Sequence, residues 1–224
     1  MTKTILIIGA GPGIGIATAR TFLEHGFRAV LASRNTSNLA RYAEEQLGKS
    51  DAYSIQAVDA NDPVQVAQLV ARTNADVLLY NAGVVRYNAD GSLKMTSLFD
   101  FPTEDISTDI QVNVSSALVA IQAAIPGMKT KGGGSILLTG GSLATNPHPD
   151  LLTLGAGKAG LRGSAQAMFE PLRALNIQLG LVTVSVLVSP ASPEAADVGR
   201  AFWDLQSKAK ADWSWEVIYR GRNA

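Results

Sequence analysis

Near the start of the chain runs Gly9-Ala10-Gly11-Pro12-Gly13-Ile14-Gly15. It stands where an apolar stretch, Ile5–Ile8, gives way to helical spacing from Ile14. Glycines at such a junction let the backbone turn tightly and let a pyrophosphate approach it closely. The helix start then offers unpaired N–H groups and a positive dipole end to the anion. No Gly-Lys-Ser/Thr ending follows, which excludes a P-loop. Further on, Ser142 follows another apolar run, and Asn113 and Lys158 lie within stretches of helical spacing.

These residues need a frame. The apolar runs predict strands at Thr4–Ile8, Arg28–Ala32, Ala52–Val58, Asp76–Tyr80 and Ser135–Thr139, one within Ile177–Val188, and a short one at Glu216–Tyr219. Helical spacing predicts helices at Ile14–His25, Ser37–Leu47, Pro63–Thr73, Glu104 to Ile125, Leu151–Leu175 and Pro193–Lys210. Strand and helix alternating in this way mean parallel strands joined by helical crossovers. The runs at Ile5–Ile8, Val77–Leu79 and Ile136–Leu138 are apolar on both faces, as strands covered from both sides must be. Arg86–Asp100 is the least regular stretch, either an active-site loop or a surface insertion.

Composition narrows the function classes. The 224 residues suit one domain spanning 1–224. Lys plus Arg and Asp plus Glu each number 19, so no net basic field draws in nucleic acid or an anionic membrane. There is no cysteine, which excludes disulfides and thiolate chemistry and is compatible with the cytoplasm. The two histidines, His25 and His148, are too far apart in sequence to suggest a metal site. Lys3 and the apolar run behind it are too short for a signal peptide, and no other stretch is expected to reach transmembrane length.

The spacing Gly-x-x-x-Gly-x-Gly resembles that of the short-chain dehydrogenase/reductase family. Asn81-Ala82-Gly83 after the fourth strand matches the family's Asn-Ala-Gly turn, and Asn113 matches its helix asparagine. Ser142 matches the catalytic serine, Lys158 the lysine of Tyr-x-x-x-Lys, and Pro190 stands where Pro-Gly is usual. The resemblance implies a three-layer α/β Rossmann fold: a doubly wound parallel sheet of about seven strands with helices on both faces. It implies catalytic roles for Ser142, Lys158 and Asn113, and a small carbonyl or alcohol substrate. It places the cofactor on Gly9, Gly11, Pro12, Gly13, Ile14 and Gly15 and on Asn81, Ala82 and Gly83. Ser33, Arg34 and Asn35, then Asp59 and Ala60, then Lys158 and Pro190 complete that set. It also implies a homodimer or homotetramer built on the small-residue helices from Glu104 and from Ala156.

The second strand ends Ala32-Ser33-Arg34-Asn35, without the carboxylate that holds a ribose 2′-OH. Arg34 can pair with a 2′-phosphate and Ser33 can hydrogen-bond, so NADP(H) is expected over NAD(H). Asp59 is expected at the adenine amino group, as the resemblance implies.

One position departs from the pattern. Leu154-Gly155-Ala156-Gly157-Lys158 carries leucine where the family's tyrosine transfers the proton. No tyrosine occurs between Tyr87 and Tyr219, so no shift of register restores it. Three readings follow: an oxidoreductase with another donor, a protein that binds NADP(H) without turning it over, or an assembly domain with a vestigial site. His148, Tyr87, Lys158 and a water held by Ser142 are the candidate donors. Trp213 and Trp215 either cover a ligand or pack against a neighbour.

Overall fold

The computed structural model describes residues 2–222. Seven strands form one parallel sheet: β1 Thr4–Ile8, β2 Arg28–Ser33, β3 Tyr53–Ala57, β4 Val77–Tyr80, β5 Gly134–Gly141, β6 Ile177–Val184 and β7 Glu216–Tyr219. Their spatial order is β3-β2-β1-β4-β5-β6-β7. The order reverses between β1 and β4, and the crevice at such a reversal is where α/β sheets bind ligands.

The helices are α1 Ile14–Glu24, α2 Thr36–Leu47, α3 Pro63–Thr73, α4 Thr103–Ile110, α5 Ser116–Thr130, α6 Leu152–Ala174 and α7 Pro193–Ser207. Period-two alternation in β1 shows why both faces of the strand are apolar. Ile5 and Ile7 join one core with Ile16 and Phe22 of α1, Leu39 of α2 and Phe202 of α7. Leu6 and Ile8 join the opposite core with Leu69 of α3, Ala120 of α5 and Leu161 of α6.

Local chemistry starts the helices where the sequence marks them. Asn35, Asp62 and Ser192 accept amide hydrogen bonds at the starts of α2, α3 and α7, and Pro63 and Pro193 supply the preset first turn. α1 has no side-chain cap and no acidic residue in its first turn, so its N-terminus is left for another anion.

Two expectations need correction. The helix from Glu104 does not end at Ile125; it begins at Thr103 and runs through Pro126 to Thr130. Its length and apolar composition are enough to cross a membrane, contrary to the expectation that no stretch would be. Here it lies along the sheet, with Ala117, Ala120, Ile121 and Met128 in the core. Between α4 and α5 the helix widens into a π turn, Gln111–Ser115. The Tyr80 hydroxyl braces that turn, donating to the Val112 carbonyl at 2.6 Å.

Candidate functional site

The glycine turn is shaped by close approach. Gly9 has φ +84°, and a Cβ there would lie 2.3 Å from the Ala82 nitrogen. A Cβ on Gly15 would lie 2.8 Å from Ala10 Cα. Gly11 is different: a Cβ would meet nothing within 4 Å, because the position faces open space. Ile16 and Ala17 bond back to the carbonyls of Gly11 and Gly13, whereas the amides of Ile14 and Gly15 have no backbone partner among the described residues. The result is a cradle of N–H groups at a helix start, with room in front of it, which fits a pyrophosphate. Gln46 Nε2 and the Ala191 amide both donate to the Pro12 carbonyl and brace the turn from behind.

Two cavities meet along this edge of the sheet. One, of about 650 Å³, is lined by Gly9, Pro12, Ser33, Arg34, Asp59, Ala60 and Ala82. The other, of about 460 Å³, is lined by Gly13, Ile14, Gly15, Ser142, Leu154 and Lys158. Gly11, Asn81, Gly83, Val85 and Tyr87 line both, so the two form one trough across the crevice. The structure therefore brings together most of the positions singled out in the sequence. Arg34 is exposed at the first end of the trough. Asn35 and Pro190 line neither cavity: Asn35 caps α2, accepting from Asn38, and Pro190 is exposed on the segment after β6.

Asn81 is fixed at both ends of its amide. Its Nδ2 donates to the Gly9 carbonyl at 2.8 Å, and its Oδ1 accepts from Thr139 Oγ1 at 2.7 Å. The Thr139 carbonyl in turn accepts from Lys158 Nζ at 2.8 Å. One residue within β5 thus ties the Asn-Ala-Gly turn to the lysine of α6. The sequence reading missed Thr139, although it closes an apolar strand where a buried hydroxyl must find a partner. Burial pulls the Lys158 pKa down from the usual 10.5 to about 8.

Asn113 sits behind this floor, in the π turn, almost fully buried. Its Oδ1 accepts from the Val84 amide at 3.0 Å. Its Nδ2 is buried with no partner among the described residues. Gly157 makes room for it, since a Cβ there would lie 2.5 Å from Asn113 Cβ. A buried orphan donor is a place for a water or ligand atom.

The candidate proton donors separate. His148 is exposed, caps the turn at Pro149–Leu151 through Nδ1, and lines neither cavity of the trough. Tyr87 lines both cavities and is held in a short bridge to Leu93. Lys158 and Ser142 line the inner one. The tryptophans cover no part of the trough. Trp213 Nε1 donates to the Lys208 carbonyl, and Trp215 packs on the core under the Arg162 guanidinium.

The irregular stretch 86–100 is anchored in a way the sequence reading did not foresee. Arg86 bonds both carboxylate oxygens of Asp109 in α4 at 2.8 Å and reaches Asp105 at 3.1 Å. Asp109 is buried and also accepts from Thr153 Oγ1, one residue before Leu154. This network joins the loop carrying Tyr87 to the start of α6.

Residues 3–197 match the short chain dehydrogenase family. The D-beta-hydroxybutyrate dehydrogenase of Rhizobium meliloti is 30% identical over 197 residues, covering 85% of this chain and 73% of that protein. The (+)-cis,cis-nepetalactol synthase of Nepeta racemosa is 32% identical over 194 residues, covering 84% and 69%. Among solved structures, a metagenomic short-chain oxidoreductase in complex with NADP superposes with a TM-score of 0.84 at 24% identity, covering 97% of this chain and 96% of that one. The match spans both the glycine turn and the lysine that ends the trough, and the chain belongs to the short-chain dehydrogenase family.

Proposed function

We propose that the chain is an NADP(H)-dependent oxidoreductase acting on a small carbonyl or alcohol substrate, with a non-standard proton donor because Leu154 stands where the family's tyrosine does. The observation that carries this reading is the continuous trough from Arg34 to Lys158. The cradle of free amides fits the pyrophosphate, Arg34 and Ser33 stand where a 2′-phosphate would be met, and Asp59 faces the adenosine end. The bound nicotinamide would supply the hydride. The solved relative in complex with NADP supports the same cofactor.

In this reading Leu154 occupies the position of the family's catalytic tyrosine and holds no proton. Ser142 orients the substrate oxygen, and Asn113 holds a water through its free Nδ2. Lys158 Nζ, positioned by the Thr139 carbonyl, donates the proton, directly or through that water. A donor whose pKa lies near the working pH is suited to general acid catalysis. Tyr87 is the competing donor.

Leu154 also favours a second reading, in which the chain binds NADP(H) as a sensor, regulator or partner subunit without converting it. Turnover of NADPH on a carbonyl panel separates the two, using wild type and Leu154→Tyr. Robust wild-type turnover supports the oxidoreductase. Binding without turnover, with activity gained in Leu154→Tyr, supports the second reading and sinks the first.

We further place the chain in the cytoplasm as a homodimer or homotetramer. Ala156, Ala159, Gly163 and Ala167 form an exposed small-residue face on α6 that lets a second copy pack closely. A monomeric mass by light scattering at micromolar concentration would count against the oligomer.

A further inference from the structure

The inner cavity is apolar around its mouth. Val85, Tyr87, Leu93, Leu143, Leu154 and Leu187 line it, from four separate parts of the chain. Three of these are unusually open to solvent for large apolar side chains: Leu187 is 75% exposed, Tyr87 58% and Val85 40%. A concave cluster of exposed apolar residues marks a ligand groove rather than ordinary surface. Scattered exposure would need no explanation, but these three converge on one cavity.

Charge is scarce there. Lys158 is the only charged residue among those that line this cavity. Its ammonium is engaged by the Thr139 carbonyl, and burial weakens its hold on the proton. Arg86 is the neighbouring cation, next in sequence to Tyr87, but Asp109 takes both its Nη atoms and Asp105 adds a second carboxylate. An anionic substrate tail would therefore lose its hydration and find no free cation in return among the described residues.

We propose that the inner cavity accepts a neutral carbonyl compound with an aliphatic or alicyclic body and discriminates against substrates bearing a carboxylate or phosphate. The inference rests on the oxidoreductase reading for the carbonyl and on the cavity lining for the body. Leucine at 154 contributes to the same wall, so the position that loses a proton donor gains apolar contact.

A matched pair of probes tests this. One is methyl octyl ketone. The other is the oxo acid carrying a carboxylate in place of that ketone's terminal methyl. Each is titrated against the full chain with and without NADPH, reading binding by calorimetry, and NADPH binding is scored separately. The ketone is expected to bind at least about tenfold more tightly than the oxo acid. Leu187→Arg, at an exposed rim position that tolerates the change, is expected to improve oxo-acid binding at least about threefold and so narrow the gap. Equal or tighter binding of the oxo acid by wild type overturns the proposal, as does failure to bind either probe. A chain that binds the ketone selectively but no NADPH contradicts the cofactor reading and leaves this one standing. A chain that binds NADPH and prefers the oxo acid does the reverse.

Discussion

Arg86 and Asp109 form a two-pronged ion pair, with each Nη bonded to a different carboxylate oxygen at 2.8 Å. They are 23 residues apart in sequence. The pair fastens the loop after the Asn-Ala-Gly turn to α4, and Thr153 extends it to α6. Asp109 is only 1% exposed, so it depends on these partners.

Removing one side of a buried pair strands the other charge. Arg86→Ala is expected to cost about 3 kcal/mol, the lower end of the range for broken buried pairs because Arg86 itself is partly exposed. Urea unfolding measures this. The double variant Arg86→Met/Asp109→Leu is expected to recover much of the loss, since no charge is then stranded. A loss for Arg86→Ala within 0.5 kcal/mol, the usual range for surface changes, would show that the pair anchors nothing.

Two glycines of the turn make opposite predictions. Gly9→Ala forces a side chain against Ala82 at positive φ, and is expected to destabilise the fold by roughly 3 kcal/mol or more. Gly11→Ala adds a methyl into open space, so folding stability is expected to stay within about 0.5 kcal/mol of wild type. Its NADPH affinity is expected to fall at least about tenfold, because the methyl stands where the pyrophosphate must approach. Thermal unfolding and calorimetry on the two variants check this. Unchanged NADPH binding by Gly11→Ala would remove the ligand from the turn.

Lys158 gives a signed pH dependence. Its pKa is about 8 in the fold against 10.5 ordinarily, so above about pH 8 the unfolded chain binds the extra proton. Stability must then rise with pH through that window, relative to Lys158→Met, and the difference must be flat below it. Carbonyl reduction is expected to fall as pH rises through about 8, as the donor loses its proton. Turnover retained by Lys158→Met but abolished by Tyr87→Phe would assign the proton to Tyr87 instead.

Much of this architecture is legible in the sequence because it depends on local pattern. Ile5–Ile8 reads as a strand covered on both sides, and its residues do alternate between two cores. Asp62 and Pro63 start α3 where a cap and a preset φ require it. The glycine turn is legible through its spacing at a strand–helix junction, Arg34 through the end of the second strand, and Asn81 and Lys158 through the family resemblance. What was hidden depends on contact between distant segments. Nothing local to Asp109 says that an acidic side chain on α4 will be buried against Arg86. Nor does the sequence show that Thr139 will serve Asn81 and Lys158 at once, or that His148 will spend its ring on capping a turn. The helix expected to end at Ile125 continues through Pro126, its face held by the core through Ala124 and Met128.

The central claim is that the trough holds NADP(H), with Arg34 meeting the 2′-phosphate. Titration calorimetry with NADPH and NADH, on wild type and Arg34→Ala, tests it most directly. NADPH is expected to bind wild type at least about tenfold more tightly than NADH, the worth of one charge-assisted pair, and Arg34→Ala is expected to erase most of that difference. Equal affinities in wild type, a preference for NADH, or no binding of either nucleotide would contradict it.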